Sequence, residues 1–165
     1  VLAIGCFDAS GRTGLIRDYL TARDLGSSAI LVPTSVAVPA VDGVHLDVRS
    51  AARVLDDVEA AMPQVAAIKI GLLGSPELVA PLAQALARFR GFVVYDPVLF
   101  DPARAPLPEG TIEALAPLLG QATLVSPDVV DAARLFGQPV GDYESARLAA
   151  THLRMRGAAA VLIKG

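Results

Sequence analysis

Five short apolar runs, at residues 1–4, 66–70, 92–95, 123–125 and 158–163, each end in a polar or glycine-rich signature, with segments of helical periodicity between them. No other feature constrains the fold as tightly. A strand, a helix and a second strand in that order build parallel βαβ units with right-handed crossovers. The signatures are GCFDASGRTG, GLLGSPE, DPV, SPDVVD and KG. In a parallel α/β sheet the carboxyl ends of the strands form the ligand crevice, so polar chemistry gathered there reads as a site.

The segments between the runs carry helix signals. Leu15, Ile16, Tyr19, Leu20 and Leu25 have helical spacing, and Gly26 closes that helix. Val54, Leu55 and Val58 give residues 49–62 one apolar face. Ser75-Pro76-Glu77 offers an N-cap, a proline at the first helical position and a first-turn acid, opening a helix to about residue 89. Ser126-Pro127-Asp128 repeats the device before a helix ending at residue 136. Further helices are expected at 111–119 and 143–156, with a proline-rich loop at 102–108. A strand-like stretch at 29–32 leads into PTSVAVPAVDGVHLDV, where Pro33 and Pro39 rule out a central strand and Asp42-Gly43 signals a hairpin turn. The expectation is one doubly wound α/β domain over residues 1–165, mostly parallel, with helices on both faces and a small hairpin excursion near 33–48.

Composition narrows the function classes. A net charge of -3, scattered along the chain, gives no electrostatic footprint for nucleic acid. No apolar run approaches the roughly 18 residues that span a bilayer. The single cysteine, Cys6, excludes an intramolecular disulfide and a cysteine-rich zinc site. With no export signal ahead of the first strand pattern, a reducing cytoplasm is expected. His45 and His152 lack metal-ligand spacing, and His152, beside Arg154 and Arg156, is expected in solvent. Cys6 is expected to be a small packed residue rather than a nucleophile.

The strand-end residues suggest a site. Between the first strand and helix, Asp8-Ala-Ser-Gly-Arg-Thr-Gly14 can turn backbone N–H groups toward a ligand, although a plain βα loop capped by Ser10 would read the same way. The loop matches neither standard nucleotide fingerprint. Lys69 and Lys164 are the only lysines beside twelve arginines, and each must reach solvent or meet an anion such as phosphate. Asp96 stands where a carboxylate holds hydrated Mg²⁺ or orients a nucleotide phosphate. Asp128 and Asp131 share a helix face and form a second acidic corner, or simply complement the helix dipole.

Taken in order, DASGRTGLIRD, DGVHLDV, AAIKIGLLGS, VVYDPV, LVSPDVVDAARLFG and AVLIKG resemble the hydroxymethylpyrimidine/phosphomethylpyrimidine kinases of thiamine biosynthesis, within the ribokinase-like superfamily. KIGLLG and DPV are the most specific pieces. The resemblance runs the length of the chain but matches only the N-terminal portion of such an enzyme. It implies a ribokinase-like fold, ATP and Mg²⁺, and transfer of the γ-phosphate to the pyrimidine's hydroxymethyl group and then to the monophosphate. The implied partner is the small-molecule pyrimidine, and a homodimer would follow family habit. By position, Asp18 matches the aspartate that contacts the pyrimidine, and Leu72 and Val98 match apolar walls of its pocket. Cys6 and Val36 fall at the same pocket. Asp96 matches the aspartate of the Mg–ATP region, and Lys164 the lysine near the phosphates. Asp131 takes the place of the glutamate in an Asn-x-x-Glu motif, with Asp128 for the asparagine, which makes Asp96 and Asp131 the implied metal ligands.

Several positions depart from the pattern. Ser35-Val36-Ala37 replaces a stretch that supplies a glutamine to the pyrimidine, Phe7 replaces a small polar residue, and Arg12 a glycine. LFDPARAP lacks the family's Ser-Gly segment. The glycine-rich anion hole and catalytic base are expected beyond Gly165, in a longer parent protein, so this chain alone is expected to be inactive. A non-catalytic, heterocycle-binding or regulatory relative is the alternative, and kinases of pyridoxal-like rings share the fold.

Overall fold

Leu2, Ala3 and Ile4 of the first strand are fully buried, for β1 (Leu2–Asp8) has a parallel neighbour on each edge and helices packed over its faces. The computed structural model describes residues 1–41, 43–99 and 110–165. After β1 come α1 (Gly14–Asp24), β2 (Ile30–Ala40), β3 (Gly43–Val48), α2 (Ala51–Ala61), β4 (Ala67–Ile70) and α3 (Val79–Leu86). They are followed by β5 (Phe92–Tyr95), α4 (Thr111–Leu119), β6 (Leu124–Val125), α5 (Val129–Phe136) and α6 (Tyr143–Met155). The sheet order is β3-β2-β1-β4-β5-β6, and only the β2–β3 pair is antiparallel. This is the expected mostly parallel, doubly wound α/β architecture. Among the described residues no helix is long and apolar enough to cross a membrane.

One sheet face carries the main core. Leu2, Ile4, Val32, Ile68, Ile70, Val93, Tyr95 and Val125 meet Val54 and Val58 of α2, Leu82 and Leu86 of α3, and Leu118 and Leu119 of α4. Burying such a side chain is worth about 1.5–3 kcal/mol. The other face shows Ala3, Gly5 and Lys69, and α1 lies against it through the buried Leu15. The helix ends in a Schellman motif, with Gly26 N–H bonded to Arg23 and Ser27 N–H to Ala22, as Gly26 foretold.

Several expectations change. The β2 strand is interior despite Pro33 and Pro39. It pairs with β1 over residues 30–37 and with β3 over 35–40, so the two ladders overlap only at Ser35, Val36 and Ala37. Each proline falls where one neighbour alone is present, and its missing amide hydrogen leaves no gap in a doubly paired segment. The irregularity between Gly5 and Cys6 lets β2 pass Thr34 out of step. The same ladder carries β1 on to Asp8, past the end of its apolar run. In the hairpin Ala40 pairs with Gly43, so Gly43 is a strand residue; Asp42 lies outside the described residues.

Helix starts also shift. Thr13, not Ser10, occupies the N-cap of α1, and Asp128, not Ser126, caps α5. Ser75 does cap its segment, accepting from the Glu77 N–H, but the first turn is 3₁₀ and α3 proper begins at Val79. The last run makes two parallel bridges, Val161 with Val125 of β6 and Lys164 with Asp128 at the start of α5, rather than forming a full strand. His152 is half-buried, with its ring centroid 5.6 Å from that of Phe136. The proline-rich loop at 102–108 lies outside the described residues.

Gly14 starts α1 at φ 64°, and a β-carbon there would stand 2.3 Å from the Cys6 carbonyl oxygen. Gly14→Ala should therefore cost about 3 kcal/mol in urea unfolding. Gly26→Ala, at φ 71° with nothing within 4 Å, should cost only about 1–2 kcal/mol.

Candidate active site

The carboxyl ends of β1, β4 and β5 open into a cavity of about 570 Å³, a size that suits a small ligand. Cys6 and Asp8 enter it from β1, Lys69 from β4, and Leu72, Asp96 and Val98 from the turns after β4 and β5. Ala37, Pro39, Val44 and Leu46 of the β2–β3 hairpin supply an apolar wall. Backbone bonds carry the strand geometry past the strand ends. Gly71 N–H donates to the Ile4 carbonyl (2.8 Å), and Asp96 N–H to the Ile70 carbonyl (2.8 Å). Val98 N–H then donates to the Asp96 carbonyl (2.8 Å), a tight turn about Pro97 that aims both side chains at the cavity.

The loop after β1 is tied to its own first residue. Asp8 Oδ1 accepts from Ser10 N–H (2.9 Å), and Oδ2 from Ser10 Oγ (2.7 Å) and Thr13 Oγ1 (2.9 Å). The Ser10 and Thr13 bonds hold the Asp8 carboxyl below its ordinary range. Ser10, expected as a cap, instead fixes the loop.

Both lysines meet carboxylates. Lys69 Nζ donates to Asp18 Oδ2 of α1 at 2.9 Å, and Lys164 Nζ donates to Asp96 Oδ2 at 2.9 Å. Lys164 N–H donates to the Pro127 carbonyl, which hangs this residue beside the start of α5. Asp128 Oδ1 accepts the Asp131 N–H at 2.7 Å. Asp131, 14% exposed, has its pKa pushed up to about 6, first by burial and then by the charges of Asp128 and Asp96. A backbone hydrogen bond from Leu99 and the Arg134 guanidinium, 3.7 Å away, oppose that rise. Tyr95, sealed beneath this corner, has its phenol held well above the usual range by burial and by the charges of Asp96 and Asp131.

The structure thus brings Cys6, Leu72, Val98 and Asp96 to one cavity, and gathers Asp128, Asp131 and Lys164 at the strand ends beside Asp96. Asp18 stands one bond back, behind Lys69. Val36 does not line the cavity: side chains alternate along β2, and Ala37 and Pro39 take the facing positions. Sequence reasoning missed the Asp8 anchor and the hairpin wall. The period-2 pattern of Val44, Leu46 and Val48 among polar residues was the available signal for that wall. Among the described residues no group of three or more His, Cys, Asp or Glu side chains comes together as a metal cage. Mg²⁺, which keeps several waters and takes one or two carboxylates plus phosphate oxygens, needs no such cage. Asp131 feels the charges of both Asp128 and Asp96, a repulsion that a cation there would relieve, so the donor set fits.

A family model described as phosphomethylpyrimidine kinase matches residues 8–165. The chain belongs to this family. Among curated relatives, the thiamine biosynthesis bifunctional protein ThiED of Geobacter sulfurreducens is 35% identical over 172 residues, covering 100% of this chain and 35% of the relative. The hydroxymethylpyrimidine/phosphomethylpyrimidine kinase of Rhizobium meliloti is 32% identical, covering 99% of this chain and 64% of the relative. The chain therefore spans less than two thirds of either protein. Among solved structures, phosphomethylpyrimidine kinase from Clostridium difficile shares the fold at TM-score 0.83 and 24% identity, over 99% of this chain and 74% of that one. Pyridoxal kinase from Staphylococcus aureus, in complex with AMP-PCP and pyridoxal, aligns at TM-score 0.85 and 25% identity, over 99% of this chain and 62% of that one. The ribokinase-like architecture is common to this phosphomethylpyrimidine kinase family member and those neighbours.

The Asp131 shift has a measurable sign. The folded protein binds this proton near pH 6 and the unfolded chain near 3.8, so the stability it contributes is full below about pH 4 and lost as pH rises through 6. Urea unfolding at several pH values should show wild type gaining stability relative to Asp131→Asn as pH falls from 7 to 4. Parallel pH profiles for the two would show that Asp131 ionises like a solvent-exposed carboxylate.

Proposed function

We propose that the full-length protein is an ATP-dependent kinase that phosphorylates a hydroxymethyl-bearing pyrimidine, in the chemistry of thiamine biosynthesis. The observation that carries this reading is the junction at Asp96. It lines the ring-sized cavity and is ion-paired to Lys164 beside the Asp128–Asp131 corner, so a pocket for a small ring adjoins a corner suited to phosphate and metal. The names of the curated relatives support the pyrimidine, and the nucleotide complexes of the structural neighbours support ATP.

In this reading Cys6, Leu72 and Val98 pack against the ring, and the hairpin wall keeps water from it. Asp96 and Asp131 would hold Mg²⁺, whose chemistry is to neutralise charge on the transferring phosphoryl group. Asp128 positions Asp131 through its backbone N–H. Lys164, on the Asp96 carboxylate, offers a compact positive charge to nucleotide phosphates. Phosphoryl transfer depends on positioning and electrostatics more than on covalent chemistry by the protein, and strand ends supply that rigidity.

Asp96→Asn in the full-length protein should lower kcat about 100-fold or more at saturating Mg–ATP. Ring binding measured by calorimetry should stay within about twofold, since the carboxylate acts on the nucleotide side. Undiminished turnover in that variant would remove the mechanism.

A further inference from the structure

Lys69 occupies β4, an interior strand, and faces α1 from a row whose cross-strand neighbours, Ala3 and Val94, are apolar. A lysine there gains nothing for the sheet. Half-burying an ammonium and a carboxylate costs desolvation that an apolar pair would avoid. Lys69 and Asp18 are 27% and 24% exposed, come from β4 and α1, and meet at 2.9 Å. The following turn makes room for them, since a β-carbon at Gly71 would stand 3.0 Å from Lys69 Nζ. Three separate elements thus serve one ammonium group. Lys69 lines the cavity, and Asp18 does not.

We propose that Lys69 is the residue that reads the ring, and that Asp18 is a positioning residue acting through it. The family resemblance assigns the ring contact to Asp18; the geometry here gives it to the lysine in front. Asp18 takes one ammonium hydrogen, which fixes the direction of the other two and balances the charge. What remains in the cavity is a fixed, charge-compensated donor. The ligand it selects is a heterocycle with an uncharged acceptor, a ring nitrogen or a hydroxyl oxygen. This rests on the functional reading above and specifies how the same cavity recognises its ligand.

The test is a double-mutant cycle in the full-length protein, with Kd for hydroxymethylpyrimidine and for pyridoxal measured by calorimetry. Lys69→Met should weaken binding of the preferred ring by roughly tenfold to a hundredfold, as loss of a charged donor does. Asp18→Asn alone should weaken it several-fold. In the Lys69→Met background, Asp18→Asn should change nothing further, because Asp18 acts only through the lysine. The double variant also leaves no orphaned charge, which guards against misfolding, and thermal unfolding verifies this. An unchanged Kd in Lys69→Met, or a further loss when Asp18→Asn is added to it, overturns the proposal. If wild type binds neither ring, the functional reading falls and the proposal with it; wild-type binding that survives Lys69→Met removes the proposal alone.

Discussion

The start of α1 lies so close to the end of β1 that Gly14 has no room for a β-carbon beside the Cys6 carbonyl. The rest of the ligand end depends on that approach. It draws α1 down onto the sheet, which seals Leu15 and places Asp18 within reach of Lys69 two strand positions away from the edge of the hairpin ladder. It also sets the span that the loop must cover, and Asp8 ties that span with three hydrogen bonds. A longer or looser connection would leave β1 intact and still lose the cavity's floor.

Two kinds of polar contact then divide the site. Around the cavity each charge has its own partner, Lys69 on Asp18 and Asp8 on the Ser10 and Thr13 donors, set among apolar side chains. Around Asp96 the charges are unbalanced, with three carboxylates facing Lys164 and Arg134, and the Asp131 pKa is raised first by burial and then by its acidic neighbours. Imbalance of that sign favours a cation and its phosphate partner. The two halves meet at Asp96, which lines the cavity and holds Lys164.

The parallel order was legible because apolar runs alternate with helical patterns, a local property that any βαβ chain must show. The helix ends at Gly26 and Ser75 were legible for the same reason. The interior position of β2 was not. Proline is excluded from strands that are paired on both sides, and no sequence signal tells that β1 and β3 overlap β2 at only three residues. Among the residues singled out for the site, Asp96 was readable from its place at a strand end, whereas Leu72 and Val98 came only from the family resemblance; all three line the cavity. Val36 faces away from the cavity, since one step of alternation separates it from Ala37 and the extra residue Thr34 in β2 resets that count. The lysine partners were hidden by distance along the chain: Asp18 lies 51 residues from Lys69, and Asp96 lies 68 from Lys164.

The scarcity of lysine has a practical side. In 165 residues there are two side-chain amines, and both are committed to carboxylates at the ligand end. Reagents or modifying enzymes that acylate lysine therefore act, within these 165 residues, only at the ligand end. Acylation of Lys164, the more exposed at 44%, takes from Asp96 its counter-charge; acylation of Lys69 pushes an amide into the cavity. Within these 165 residues the labelling rate at Lys69, told apart from that at the more exposed Lys164, is a gauge of cavity occupancy.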